Sequence, residues 1–447
     1  MFLISYKKED HFIKKVAFKT LGCKVNQYET EIILNLFQDE GFQIVNFNQK
    51  ADVYIINTCT VTKEADRKSK QMIRKAIGQN KKSKIIVTGC FAQSNYQDLE
   101  KIRGINLITG NSDKNSILQQ FKELDFHNTV VKVTPAKFLK KYDNVIKNKS
   151  ILRARAWLKI QDGCNNFCTY CKVPYVRGPA RSRLIDDILQ EVSNLENSGI
   201  KEVVLLGINL GTYGEDLLPG KANLSKLISL INNFKGIKRI RLSSIELVNI
   251  NNELLDTFGK CSKLCHHLHI PLQSGDDKIL KLMNRPYNTS IFGKKIFQLK
   301  KKIPNIAITS DIMVGFPGED NESFNNTYKF IRKMCFSKIH IFKYSNREKC
   351  LAILMPNEVD NEIKKERSKK LINLSSELFY NFRNKYLGLD VDVLVEDEIK
   401  DKEGRVYSRG ITDNYIKVII PDLIGKRGEI VKVQLNKIYS DYIISSV

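Results

Sequence analysis

The sequence has no apolar run near 18 residues, the length a membrane-crossing helix requires. Its first residues, MFLISYKKEDHF, reach charged side chains too soon to form the apolar centre of a secretory signal. There is no tandem repeat and no low-complexity segment, which excludes solenoids and biased tails. Histidine is scarce, with six in 447 residues, and no nucleophile, base and orienting acid can be read together as a hydrolytic triad. These absences point to a cytoplasmic protein whose chemistry does not rest on a histidine base. In that compartment thiols stay reduced, so the ten cysteines favour metal or redox roles over disulfides.

Acidic residues are also short in supply. Asp and Glu number 49 against 73 Lys and Arg, a net charge of +24. Such a balance suits a polyanionic partner, with nucleic acid foremost. Compositional drift in a chain rich in Lys, Asn and Ile would give the same excess. An apolar fraction of 42% and ample length allow two to four domains with ordinary cores.

From about 14 to 125, short apolar runs alternate with helical patterns. KKVAFKTLGC, ADVYIINTC and KIIVTGC read as strands. NQYETEIILNLFQDEGF and the basic KEADRKSKQMIRKAIG read as the helices between them, which makes a small parallel α/β sheet. Residues 126–149 are Lys-rich with weak periodicity and are expected to be a linker. From 150 to 380 six strand candidates alternate with helices: RAWLKIQDG, EVVLLGI, IKRIRLSSI, HHLHIPLQSG, IAITSDIMVGF and KIHIFKYS. This is the pattern of a partial β/α barrel. A long charged helix follows at about 362–388. From 385 to 447, five short β runs separated by turn residues predict a small all-β barrel.

The stretch GCNNFCTYC puts Cys164, Cys168 and Cys171 directly after the strand AWLKIQDG, at the mouth where β/α barrels gather catalytic groups. Three thiolates at this pitch can hold three irons of a 4Fe–4S cluster, with Gly163 and Asn165 helping the chain turn. Four ligands would saturate the cluster; three leave one iron open. A zinc loop or chance clustering is the competing reading. A second trio, Cys23, Cys59 and Cys90, ends three strands of the N-terminal domain, on the sheet edge where α/β proteins bind ligands. A buried cysteine at any one of these positions is ordinary; three in the same register are not.

The spacing Cys164-x3-Cys168-x2-Cys171 resembles the signature of radical S-adenosylmethionine (SAM) enzymes. With the N-terminal trio and the C-terminal barrel, the chain from about 14 to 447 resembles the radical SAM methylthiotransferases, whose C-terminal module is the RNA-binding TRAM domain. LGCKVNQYETE, NTCTVTKEADRKSKQ, TGCFAQ, GCNNFCTYCKVPYVRGPARSR, HLHIPLQSG and SDIMVGFPGE look most like the branch acting on threonylcarbamoyladenosine in tRNA. The isopentenyladenosine branch reads more like GCQMN at the first cysteine, and the ribosomal-protein branch more like GCPKN.

The resemblance implies two 4Fe–4S clusters and SAM as cofactors. Reductive SAM cleavage at the Cys164, Cys168 and Cys171 cluster would give a radical that takes hydrogen from C2 of the adenine. The other cluster would present a methylated sulfur. It also implies tRNA as partner, an external electron donor such as flavodoxin or ferredoxin, no membrane association and a monomer. SAM contacts are expected from Asp311, Val314 and Gly315 in SDIMVGFPGE, where Gly315 and Gly318 would permit close approach, and from Glu246, Gln273 and Ser274 at strand ends. Arg177, Arg181 and Arg183, after the cluster loop, suit carboxylate or phosphate. Of these, Arg177 and Arg183 are expected on the RNA, together with Arg405, Lys417 and Lys432 of the C-terminal barrel, the basic helix Lys63–Lys75, and Tyr407 and Tyr415 as stacking rings. A solvated basic face is the alternative for each.

The sequence departs from the family after Lys343-Tyr344-Ser345, where Asn346-Arg347-Glu348-Lys349-Cys350 replaces an Arg followed by Gly-Thr. Lys172 stands where relatives often carry an apolar residue. Cys261-x3-Cys265-His266-His267 admits a zinc reading, with packing preferred. Three functions compete: the threonylcarbamoyladenosine enzyme; the same chemistry on isopentenyladenosine or a ribosomal protein; and a non-catalytic RNA-binding iron–sulfur protein.

Overall fold

The computed structural model describes residues 14–124, 128–144, 153–218 and 222–446. The charged N-terminal stretch and part of the expected linker lie outside them. The chain forms two compact units, one ending at Pro135 and one beginning at Ala136.

The first unit is a six-stranded parallel sheet. Its strands are β1 (Lys15–Thr20), β2 (Gln43–Val45), β3 (Val53–Thr58), β4 (Lys84–Gly89), β5 (Leu107–Thr109) and β6 (Val130–Lys132), in the order β2-β1-β3-β4-β5-β6. Helices α1 (Lys24–Asp39), α2 (Lys63–Gln79), α3 (Cys90–Glu100) and α4 (Ile117–Lys122) connect them. VYIINT of β3 is buried along its whole length, as a central parallel strand covered on both faces must be. Thr62 caps α2 by accepting from the Ala65 amide at 3.1 Å, and Glu64 and Asp66 follow in the first turn, where negative charge favours the helix dipole. The domain runs further than its sequence pattern suggests: β6, inside the expected linker, pairs with β5 through Leu107–Val130, Ile108–Val131 and Thr109–Lys132. A three-residue edge strand is too short to show a period.

In the second unit, β7 (Arg155–Lys159), a short antiparallel pair β8 (Gln161–Asp162) and β9 (Arg181–Ser182), β10 (Glu202–Leu206) and β11 (Arg239–Leu242) precede β12 (His267–His269), β13 (Ala307–Val314) and β14 (Lys338–Lys343). Two three-stranded parallel sheets, β11-β10-β7 and β12-β13-β14, are joined by parallel bridges Ile240–Leu264 and Ser244–His269. The result is a six-stranded open arc, the expected partial barrel. Helices α5 (Val173–Arg177), α6 (Ile185–Asn197), α7 (Leu224–Asn232), α8 (Asn252–Lys260), α9 (Asp277–Leu282), α10 (Thr289–Lys302) and α11 (Asn321–Met334) lie between the strands, and α12 (Asn361–Asn384) follows. One continuous apolar core runs from Ala156 and Leu158 through Val203 and Ile240 to Ile312 and Leu371; each Val, Leu or Ile side chain fully withdrawn from water contributes about 1.5–3 kcal/mol.

The C-terminal strands β15 (Asp390–Lys400), β16 (Val406–Thr412), β17 (Lys417–Pro421), β18 (Ile430–Tyr439) and β19 (Tyr442–Ser446) close into a barrel, order β15-β16-β17-β19-β18. Buried ions fasten it to the start of the arc. Arg239 and Arg241 donate to the Ile411, Asp392, Asp413 and Thr412 carbonyls, while Glu202 accepts from Arg241 at 2.7 Å. Among the described residues no helix is long and apolar enough to cross a membrane.

Candidate metal centres

The loop that carries Cys164, Cys168 and Cys171 leaves β8 and enters α5. Its geometry needs glycine. Gly163 has φ +72°, and a Cβ there would lie 1.9 Å from the Pro179 carbonyl oxygen. Gly178, φ +73°, receives the Cys164 amide on its carbonyl at 3.1 Å. The Cys171 amide donates to the Cys168 carbonyl at 2.9 Å, and Thr169 pins the loop to Leu282 and Met283 at the end of α9.

An ion cluster anchors both ends of the loop. Buried Asp162 accepts from Lys159 at 2.6 Å, Arg177 at 3.1 Å and Arg181 at 3.1 Å, and from the Gly163 amide at 2.8 Å. Burial alone would push this carboxyl up; the three cations hold it well below the usual carboxylate range. Arg177, expected on the RNA, is thus buried in an ion cluster of the fold. Arg183, expected there too, is fully enclosed: it pairs with Glu191 at 2.7 Å and donates to Asn144 at 3.0 Å. The sequence shows the arginines but not Asp162 as their counter-ion, because the three cations converge only after the chain turns.

Arg285, which spacing did not single out, donates to Cys168 Sγ at 3.3 Å, pairs with Glu246, and reaches the Tyr287 hydroxyl at 3.0 Å. Burial raises the thiol pKa of Cys164 and Cys171; for Cys171 the neighbouring Cys168 and Cys164 raise it further. Ionised sulfurs in such a place need positive partners; one guanidinium is present and irons would be others. Among the described residues no three His, Cys, Asp or Glu side chains close as ligands of a single ion would. A four-iron cluster asks for a wider arrangement, since each sulfur meets its own iron. The donor set of free cysteines, with Cys164 and Cys168 acting electrostatically on Cys171, fits that group.

The second trio is built across the sheet. Cys23 caps α1, Cys59 follows β3, and Cys90 opens α3 after β4. Gly22, φ +98°, packs so closely on Cys59 that a Cβ would lie 2.9 Å from its Sγ. Asn26 ties two members together: it donates to the Thr58 carbonyl at 3.0 Å and accepts from Cys23 Sγ at 3.8 Å. Thr58 links the next pair, with its hydroxyl donating to the Thr88 carbonyl at 2.5 Å and accepting from the Ala92 amide at 3.2 Å. Asn111 donates to Cys90 Sγ at 3.5 Å. These free thiols at neighbouring strand ends fit a second cluster as donors. Asn26, Thr58, Asn111 and Arg285 carry no spacing signature; Asn26 and Thr58 fell within the family-like strings LGCKVNQYETE and NTCTVTKEADRKSKQ, Asn111 and Arg285 in none.

The expected SAM residues divide. Glu246 and Gln273 are half-buried near the loop; Gln273 holds φ +73°, a costly conformation for a non-glycine residue. Asp311 lies inside β13 rather than after it, paired with His269 at 3.2 Å. Ser274 is turned inward to Thr327 at 3.1 Å, and Val314 is in the core. The space beside Gly315, φ +72°, is taken by Lys364, whose Cγ would be 2.2 Å from an added Cβ, so a neighbouring helix accounts for the glycine. On the C-terminal barrel Lys432 is exposed, Lys417 lies 5.4 Å from the Tyr442 ring, and Arg405 pairs with Asp401 at 2.9 Å. Tyr407 also donates to Asp401. Tyr415 stacks inward on His267 at 4.5 Å and takes Arg241 over its face, so it is not a free stacking ring.

The zinc alternative dissolves. Cys261 Sγ donates to Asn232 at 3.0 Å, Cys265 is buried beside Arg241, His266 meets Asp413 and His267 meets Thr309. Lys349, in the stretch that departs from the family's Arg and Gly-Thr, has φ +68°: a left-handed turn is made here by a residue other than glycine.

A model of the uncharacterized protein family UPF0004 matches residues 15–110, and one of the radical SAM superfamily matches 158–331. The threonylcarbamoyladenosine tRNA methylthiotransferase MtaB of Bacillus subtilis (strain 168) is 42% identical over 94% of this chain and 94% of its own. Its namesake in Aquifex aeolicus (strain VF5) is 37% identical over 90% of this chain and 96% of its own. The tRNA-2-methylthio-N(6)-dimethylallyladenosine synthase of Thermodesulfovibrio yellowstonii is 36% identical over 95% and 96%. Among solved structures, the radical S-adenosylmethionine methyltransferase TsrM of Kitasatospora setae shares the fold, with TM-score 0.53 and 12% identity over 74% of this chain and 75% of that one. With relatives this similar along almost the whole chain, and a cysteine trio in each matched region, the chain belongs to the radical SAM methylthiotransferases.

Proposed function

We propose that this protein is a tRNA methylthiotransferase that adds a methylthio group at C2 of N6-L-threonylcarbamoyladenosine. The observation that carries the reading is similarity over nearly the full length to proteins of that name, 42% identical in one of them. When bound, the two 4Fe–4S clusters supply the electron that cleaves SAM and the site from which sulfur is delivered.

The chain's own work is to hold and orient. Cys164, Cys168 and Cys171 would ligate three irons of one cluster, and Cys23, Cys59 and Cys90 three of the other. The Asp162 ion cluster fixes the first loop, and the paired Glu246 and Arg285 place a carboxylate and a guanidinium beside Cys168. Gln273, beyond β12, and Asp311, within β13, remain candidate SAM contacts. Lys432, Lys417, Arg405 and the exposed cations of α2 offer charge to the tRNA backbone. A one-electron donor protein such as flavodoxin or ferredoxin reduces the protein, which acts as a cytoplasmic monomer.

Anaerobically purified protein is expected to carry about eight irons and eight sulfides. Mass spectrometry of tRNA nucleosides from a deletion strain tests the substrate. Loss of the methylthio group from the threonylcarbamoyl nucleoside alone supports the reading. Loss from the isopentenyl nucleoside would instead favour the second reading, for which the 36% identical synthase speaks.

A further inference from the structure

With Arg177 and Arg183 locked in ion pairs, the cations and rings free to meet RNA beside the cluster loop lie elsewhere. Residues 136–141, AKFLKK, are docked against the loop's exit. The Ala136 carbonyl sits where a Gly178 side chain would be, 2.3 Å from an added Cβ, and the buried Leu139 would lie 3.2 Å from that same added atom. Gly178 in turn accepts from the Cys164 amide at 3.1 Å. Just downstream, the Tyr142 hydroxyl donates to the Lys159 carbonyl at 2.8 Å. So anchored, the segment turns its other side chains outward: Phe138 is 60% exposed, Lys137 stands 4.9 Å from its ring, and Lys140 and Lys141 are exposed. A second ring rises from the loop itself. Phe167, next to Cys168, is 52% exposed, holds φ +46°, and rests edge-on against Tyr175 of α5 at 6.0 Å. One exposed ring among lysines, and a second beside Cys168 in a costly left-handed backbone, match a single-stranded nucleic-acid platform.

We propose that Phe138 and Phe167 stack on bases of a single-stranded RNA loop while Lys137, Lys140 and Lys141 neutralise its phosphates, so that this segment guides substrate to the cluster loop. The proposal rests on the tRNA reading above. It is tested with holoprotein and an anticodon stem-loop carrying 2-aminopurine beside the target adenosine. Anisotropy gives affinity across a salt series, and 2-aminopurine quenching reports stacking. Phe138→Ala should weaken binding about tenfold and relieve quenching, and Phe138→Trp should restore both. The double variant Lys140→Ala, Lys141→Ala should reduce the slope of log affinity against log salt by about 1.4. Iron content and thermal melting identify any variant that has misfolded; these side chains are exposed, so both should match the parent. Parent-like affinity, quenching and salt slope in the variants would overturn the inference while leaving the tRNA reading intact. So would retained RNA affinity with slowed reduction by an acidic electron-donor protein, which would make the segment that protein's dock. Failure of the unaltered protein to bind the stem-loop would remove the tRNA reading and this inference together.

Discussion

The two cysteine trios are made in opposite ways. Cys164, Cys168 and Cys171 fall within eight residues of one loop, whereas Cys23, Cys59 and Cys90 come from three strand ends and meet only because β1, β3 and β4 pair in parallel. Their surroundings differ as well. The loop trio sits among buried ions, with Asp162 holding three cations and Arg285 donating to Cys168. The sheet trio is dressed by neutral groups, Asn26, Thr58 and Asn111. A short loop cannot place its thiols through regular backbone pairing, so ion pairs do it; a sheet already has the register, and amide contacts suffice.

The largest expected difference is in chemistry. Cys168→Ala should abolish 5′-deoxyadenosine formation from SAM under reducing conditions, while Cys59→Ala should retain it and lose methylthiolation. Equal loss of both activities in the Cys59 variant would break the division of labour. Next comes stability. Asp162→Asn leaves Lys159, Arg177 and Arg181 buried without their counter-ion and should cost about 3–5 kcal/mol in unfolding, against about 1 kcal/mol for Asn26→Ala; denaturant titration reads both. The pH dependence has a definite sign. A carboxylate held below its ordinary range gives stability that is present above that range and is lost as pH falls through its depressed value. The Asp162 contribution should hold at neutral pH, fade only below about pH 4, and be missing from Asp162→Asn throughout.

A smaller contrast separates the glycines. Gly163→Ala drives a methyl into the Pro179 carbonyl oxygen, whereas Gly22→Ala meets the Cys59 side chain. Each should lower the iron count by about four of eight, but they should do so by losing different clusters, which Mössbauer or EPR signatures distinguish. The finest effect is on potential. Removing a cation disfavours the reduced, more negative cluster, so Arg285→Gln should lower the loop cluster's midpoint. The shift should be about twice that which Asn111→Leu causes at the other, since charged donors make the stronger hydrogen bonds. An EPR-monitored redox titration settles the order.

The alternation of apolar runs with helical patterns exposed the parallel sheet, the six-stranded arc and the five-stranded barrel, because each periodicity is a local property of the chain. The edge strand β6 escaped because three residues carry no period. Partnerships escaped for a different reason. Tyr415 and Arg177 read as free aromatic and free cation until the fold turned one onto His267 and the other onto Asp162. Gly315 read as room for a cofactor until α12 laid Lys364 across it.

The sequence on its own made legible the longer strands and helices in order and the grouping of six cysteines into two trios, since spacing and strand ends are written along the backbone. Tertiary structure alone decided which charges are buried as pairs and which stay in water. That choice depends on residues such as Asp162 and Arg181, or Cys168 and Arg285, which meet only when the chain closes and excludes the solvent that would otherwise hold them apart.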